Sequence, residues 1–127
     1  MTTRPRSLAA VSAEATDRAS FHLHLRDFLD EFRRRGAPAM LSVEPGRLAG
    51  RFSGGDVADA YLAAVAVSLA REVAAHPPAW AWSDDRKLRR PWFAWPGPAL
   101  RATLLAESPA PFRERNLFVS ANALSRA

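Results

Sequence analysis

Asp17-Arg-Ala-Ser-Phe-His-Leu-His-Leu-Arg-Asp-Phe-Leu-Asp-Glu-Phe-Arg-Arg-Arg35 is the stretch that decides the fold class. Phe21, Leu25, Phe28, Leu29 and Phe32 recur at spacings of 4, 3, 1 and 3, which gathers them on one face of a helix. Thr16 or Asp17 is suited to cap the start. Arg33, Arg34 and Arg35 stand at the end, where the helix dipole favours cations, and Gly36 followed by Pro38 supplies the stop. Asp30 and Arg34 read as a surface ion pair, Asp27 and Glu31 as a like-charged pair on a solvated face.

A second long helix is expected over residues 56–75. Leu62, Val65, Leu69 and Val73 form its stripe, and Tyr61, Val67 and several alanines widen the stripe almost all round. A helix apolar on most sides is packed on more than one face, so this one is expected at the centre. Between the two, Pro38 opens a short helix through Met40, Leu41 and Val43. The glycines at 46, 50, 54 and 55 belong to a turn-rich loop; no Gly-Lys-Ser/Thr follows them as a phosphate loop would require.

Residues 76–98 change character. They hold all four tryptophans and five of the ten prolines, a density that forbids a continuous helix. Ser83 is expected to cap a turn over 84–89. Pro98 then starts a helix to Glu107 with Leu100, Leu104 and Leu105 inward, Ser108-Pro109 opens a short one to Arg115, and Leu117 to Val119 form an extended apolar plug. Ser120 is suited to cap a last turn to Ala127. The expected fold is therefore all-α: a small helical bundle of about five helices with an irregular Trp/Pro-rich crossing segment. Residues 1–15, small and polar, read as a flexible tail, and residues 16–127 as one helical domain.

The chain has 127 residues, no cysteine and a formal net charge of +5. Without cysteine there is no disulfide, thiolate zinc site or thiol nucleophile, which suits a reducing, cytoplasmic setting. The apolar run from Ala60 to Ala70 is too short to span a membrane, and Met1 to Thr16 lacks the apolar core of a secretory signal. All basic residues except Lys87 are arginine, a bias that GC-rich coding produces as readily as a nucleic-acid partner does. His22 and His24, two residues apart, point about 200° apart around a helix and cannot share a metal. No carboxylate pair, serine elbow or ligand set marks an active site. Neither a cofactor nor a metal is expected, and no catalytic residue is assigned.

The unusual feature is the interleaving of Trp80, Trp82, Trp92, Phe93 and Trp95 with Arg86, Lys87, Arg89 and Arg90. Three readings fit it: a stacking and phosphate platform for nucleic acid, a protein-binding surface rich in hot-spot residues, or closure of the core where the proline-rich chain crosses the helices. Spacing places Trp92 and Phe93 inside and leaves Trp80 or Trp82 partly exposed. The candidate partner-binding residues are Trp80, Trp82, Arg86, Arg89, Arg90, Trp95, Arg113 and Arg115, with the adjoining stretch from Leu100 to Val119.

Asp59-Ala-Tyr-Leu-Ala-Ala64, Pro91-Trp-Phe93, Leu100-Arg-Ala102 with Leu104 and Leu105, Glu107-Ser-Pro109, Phe112-Arg113 and Arg115-Asn-Leu-Phe-Val119 together resemble a group of small helical proteins of GC-rich bacteria. That group is similar in character to antitoxin-like partners of nucleotidyltransferase-like toxins. The resemblance implies a non-catalytic, protein-binding role and carries no catalytic motif. A protein partner is thus expected, with no membrane contact and with self-association left open. Duplex DNA should be held weakly, without sequence preference and less as salt rises. The rival readings are a nucleic-acid-binding regulator and a structural subunit of another complex. Arginines clustered on one exposed face would favour nucleic acid; arginines dispersed among acidic partners favour protein.

Overall fold

Aromatic and aliphatic spacing within α2 (Arg18–Arg35) aims five large side chains inward, and in the computed structural model Phe21, Leu25, Phe28, Leu29 and Phe32 are all buried. The structure describes residues 4–124. Asp17 caps α2 through a reciprocal pair: its Oδ1 accepts from the Ser20 amide at 2.8 Å, and the Ser20 hydroxyl accepts from the Asp17 amide at 3.1 Å. Gly36, at φ 61°, closes the helix in the left-handed region that favours glycine.

The apolar circumference of α3 (Gly55–Glu72) makes it the central element. Leu62 to Val67, with Leu69 and Ala70, are buried without a break except at Ser68. Its small residues allow close neighbours, and Gly55 shows how close. A Cβ there would lie 1.9 Å from the Leu48 carbonyl oxygen, so only glycine lets the 45–50 loop lie on the helix start. The helix ends at Glu72 and not at residue 75, because Ala74 turns into the left-handed region at φ 55°.

Residues up to Ala15 are not a loose tail where they are described. Ser7 caps α1 (Leu8–Glu14), and Leu8, Val11 and Ala15 are fully buried against the core. The small residues that read as tail are what let this helix lie close to α2. The Ser12 hydroxyl, also buried, donates to the Gly46 carbonyl at 2.6 Å.

Beyond α3 the chain is short turns, two of them single 3-10 turns at Ala79–Trp82 and Asp84–Arg86, the latter without the expected Ser83 side-chain cap. The fold is mostly helical and not purely so. β1 (Trp92–Phe93) pairs in parallel with β2 (Leu117–Phe118), with Trp92 opposite Leu117 and Phe93 opposite Phe118. The expected apolar plug is thus a strand, held by the amides of Trp92 and Ala94 donating to the carbonyls of Asn116 and Phe118. Between them lie a 3-10 turn (Pro98–Leu100), α4 (Arg101–Glu107) and α5 (Ala110–Arg113). Ser108 does not cap α5. Its buried hydroxyl donates to the Leu117 carbonyl at 2.8 Å and accepts from the Val119 amide at 3.2 Å, pinning β2. Of the turn expected from Ser120 to Ala127, residues 121–124 form a turn, and the rest of the expected span lies outside the described residues.

Two expected surface pairings on α2 are rearranged. Glu31 is buried and not solvated: its Oε2 accepts from Arg34 at 2.6 Å and from Arg35 at 2.7 Å. These bonds, that to Arg35 foremost, hold its carboxyl below the usual carboxylate range. Arg34 is therefore engaged by Glu31, three residues back, and not by Asp30.

Tyr61, on α3, packs edge-on against Phe112 at 5.0 Å and Phe21 at 6.5 Å. Burial pushes its phenol up to about 12. The unfolded chain would release this proton near the ordinary value of about 10, so stability is intact below pH 10 and falls as the pH climbs to 12. The expected loss is about 2 kcal/mol by pH 12. Urea titrations at pH 9 and pH 11.5 should show this slope and show it abolished in Tyr61→Phe. An equal alkaline slope in both proteins would mean that Tyr61 is not its source.

Candidate functional site

The eight sequence-selected residues divide into two groups with opposite surroundings. Arg86 and Arg115 are buried at 0% and 1% exposure and offer no partner surface. Both are corrections to the sequence expectation, and the cause is the carbonyl groups that meet them.

Arg86 lies under the 44–49 loop. One of its terminal nitrogens donates to the Asp59 carbonyl at 3.3 Å; the other donates to Glu44 at 3.2 Å and to the Pro45 carbonyl. Asp59, itself buried, accepts from the amides of Leu48 at 2.7 Å and Ala49 at 3.0 Å, with its carboxylate 3.7 Å from Arg86. Arg86 also lies over the Trp80 ring at 5.0 Å. Burial pulls its guanidinium below the usual arginine value, reinforced by Arg47 and opposed by Glu44 and Asp59.

Arg115 repeats the arrangement on the next tryptophan. It lies 5.0 Å over the Trp82 ring and donates to the carbonyls of Pro111 at 2.7 Å and Ala81 at 2.8 Å. The turn Ala79–Trp82 is therefore held between two buried arginines. Trp80 is partly buried and spent inward, its indole N–H donating to the Leu41 carbonyl at 3.0 Å. Core closure, one of the three readings of the Trp/Arg run, describes this half of it.

The other half is open. Arg89, Arg90 and Arg113 are exposed, as are Trp82 at 46% and Trp95 at 56%. Arg113 donates to the Ser108 carbonyl at 3.3 Å. Trp92 and Phe93, expected inside, are half-buried. Phe93 stacks on Phe118 at 5.1 Å on one side and carries Arg101 at 5.0 Å from its ring.

Sequence reasoning assigned Leu100 and Leu105 to the interior. They are 42% and 48% exposed, and only Leu104 of α4 is buried. Helical spacing identified an apolar face there, but α4 is short and peripheral, with one leucine reaching the core. Four of the six exposed large hydrophobic side chains among the described residues, namely Trp82, Trp95, Leu100 and Leu105, fall in this one stretch. The exposed large apolar side chains are thus concentrated in residues 82–105 of the chain.

Lys87, Arg89, Arg90 and Trp92 line a groove of about 490 Å³. A smaller cavity of about 50 Å³ lies among Phe21, Phe52, Tyr61 and Trp92, with Arg18 and His22 among its lining. Burial, then the nearby Arg18, lowers the His22 imidazole from its usual value and favours the neutral ring. Among the described residues no three His, Asp or Glu side chains converge as metal ligands, and no helix is long and apolar enough to cross a membrane. Compared with family models, curated proteins and solved structures, the chain matches none of them.

Proposed function

We propose that this chain is a non-catalytic, cytoplasmic protein-binding module, an antitoxin-like partner of a nucleotidyltransferase-like toxin. The observation that carries the binding role is the exposure of Trp95, Leu100 and Leu105 in the same 89–105 stretch of chain as the exposed Arg89, Arg90 and Arg101. Tryptophan and arginine dominate interface hot spots, and a leucine rim around them excludes water. The occupant is an acidic surface of a protein. Among the described residues Arg89, Arg90 and Arg101 form no ion pair, so an incoming carboxylate need displace none. Other arginines are dispersed among acidic neighbours: Arg33 with Glu72, Arg34 and Arg35 with Glu31, Arg47 with Glu44 and Asp85. That dispersal supports a protein partner for these arginines, while the unpaired Lys87, Arg89 and Arg90, which line one groove, are what a nucleic-acid-binding regulator would use.

The test is co-purification from the native host with the partner identified. Native chain should retain a nucleotidyltransferase-like protein. Trp95→Ser combined with Leu105→Asp should reduce retention by about tenfold or more, an interface loss of about 1.4 kcal/mol. The melting temperature should stay nearly constant, because exposed side chains contribute little to folding. Full retention by the variant removes the patch from the interface, and sequence-selective DNA binding at physiological salt replaces this reading with the regulator.

A further inference from the structure

The groove differs in chemistry from the exposed apolar residues. It is concave and lined by Lys87, Arg89 and Arg90, with Trp92 and Val57 supplying apolar wall. None of the three cations is ion-paired within the described residues. Two carboxylates also line it against the three cations, and one of them is tied elsewhere. Asp85 is held by the fork of Arg47, at 2.9 and 2.8 Å, which also lowers its pKa. Asp56 sits in the first turn of the 18-residue helix α3, where the dipole favours a negative charge. The unbalanced charge in the groove is therefore positive.

The backbone that carries the ring is held in place. Trp92 belongs to β1, and its amide donates to the Asn116 carbonyl at 2.8 Å. The cationic wall is anchored by the Leu88 amide donating to the Arg115 carbonyl at 3.2 Å and the Leu88 carbonyl accepting from the Asn116 side chain at 2.7 Å. A volume of about 490 Å³ lies within the range of small-ligand sites. Three free cations call for a concentrated anion, and a half-buried indole calls for a flat ring joined to it. We propose that this groove binds a nucleoside polyphosphate, its phosphates on Lys87, Arg89 and Arg90 and its base against Trp92. Trp95, Leu100 and Leu105 do not line the groove but Arg89 and Arg90 do, so the nucleotide and the proposed protein partner compete for these two arginines.

Calorimetry and tryptophan fluorescence on the intact chain test it, with ATP, GTP, adenosine, inorganic tripolyphosphate, poly-glutamate and a short single-stranded RNA as probes. ATP or GTP should bind saturably and quench emission. Adenosine and tripolyphosphate, each carrying half of the chemistry, should bind about tenfold or more weakly. Arg89→Ala with Arg90→Ala should cost a similar factor, and Trp92→Phe should remove the quench while keeping the strand. Should the double variant lose its native circular dichroism, Lys87→Ala and the fall of affinity with salt serve in its place. Trp95→Ser should leave nucleotide affinity unchanged. The proposal is overturned by no saturable nucleotide binding below about 1 mM, or by tripolyphosphate or poly-glutamate binding as tightly as ATP. RNA binding without mononucleotide binding also overturns it and makes the groove a strand site.

Discussion

Replacing Arg86 with leucine is expected to destabilise the fold by about 3–5 kcal/mol, a large part of the roughly 5–15 kcal/mol that holds a domain of this size. The side chain is fully buried and joins three segments far apart in sequence: the Pro45 carbonyl and Glu44 carboxylate, the Asp59 carbonyl on α3, and Trp80 beneath the guanidinium. Leucine fills part of the space but donates nothing. The Pro45 carbonyl loses its donor inside the protein, the Asp59 carbonyl keeps only its helical one, and the Asp59 side chain keeps the two backbone amides while losing its nearby cation. Arg86→Lys should fall between, since an ammonium keeps the charge but cannot span the carbonyls of two segments. Urea unfolding followed by circular dichroism measures both. A loss below about 1 kcal/mol in Arg86→Leu would show that the 44–49 loop is held by its other bonds, those to Asp59, Ser12 and Asp85, without Arg86.

Phe28→Ala is the second large effect, expected at about 3–5 kcal/mol, with Leu69→Ala at about 2–5 kcal/mol. Both side chains are at 0% exposure, Phe28 on α2 packed 6.1 Å from the Phe32 ring and Leu69 on the central α3. Truncation removes apolar contact and leaves a cavity that two long, capped helices cannot close by shifting. Leu23, on the same helix but 48% exposed, is the internal control: Leu23→Ala should change stability by less than about 0.5 kcal/mol. If Phe28→Ala and Leu69→Ala both cost under about 1 kcal/mol, the pairing of α2 with α3 is not the core of this domain.

Much of the frame was legible in the chain because it depends on neighbours three or four residues apart. The stripe from Phe21 to Phe32, the Asp17 cap and the Gly36 stop are local, and the structure has all of them. So is the near-continuous apolarity of α3, which required a central position before any neighbour was known. The absence of cysteine is likewise complete information. Polar character, by contrast, misled at the N-terminus. Leu8, Val11 and Ala15 are too few to form a persuasive stripe, and only the presence of α2 makes them worth burying.

The partner-site residues show the limit most clearly. Arg86, Arg89, Arg90 and Arg115 are the same residue type in similar company, and nothing within four residues distinguishes them. Tertiary structure separates them by supplying acceptors. Arg86 meets the Pro45 carbonyl 41 positions away, and Arg115 meets the Ala81 carbonyl 34 positions away. Arg89 and Arg90 meet none and remain exposed. The same holds for the apolar residues of α4: period identified the face, but whether Leu100 and Leu105 reach the core depends on where the short helix is tethered. By itself the sequence determined the two long helices and which of them is central, since propensity, capping and amphipathic period act within a turn or two of the chain. Only the tertiary structure decided which charges and leucines are buried and which stay exposed, because burying a guanidinium is tolerable only where distant carbonyls converge on it.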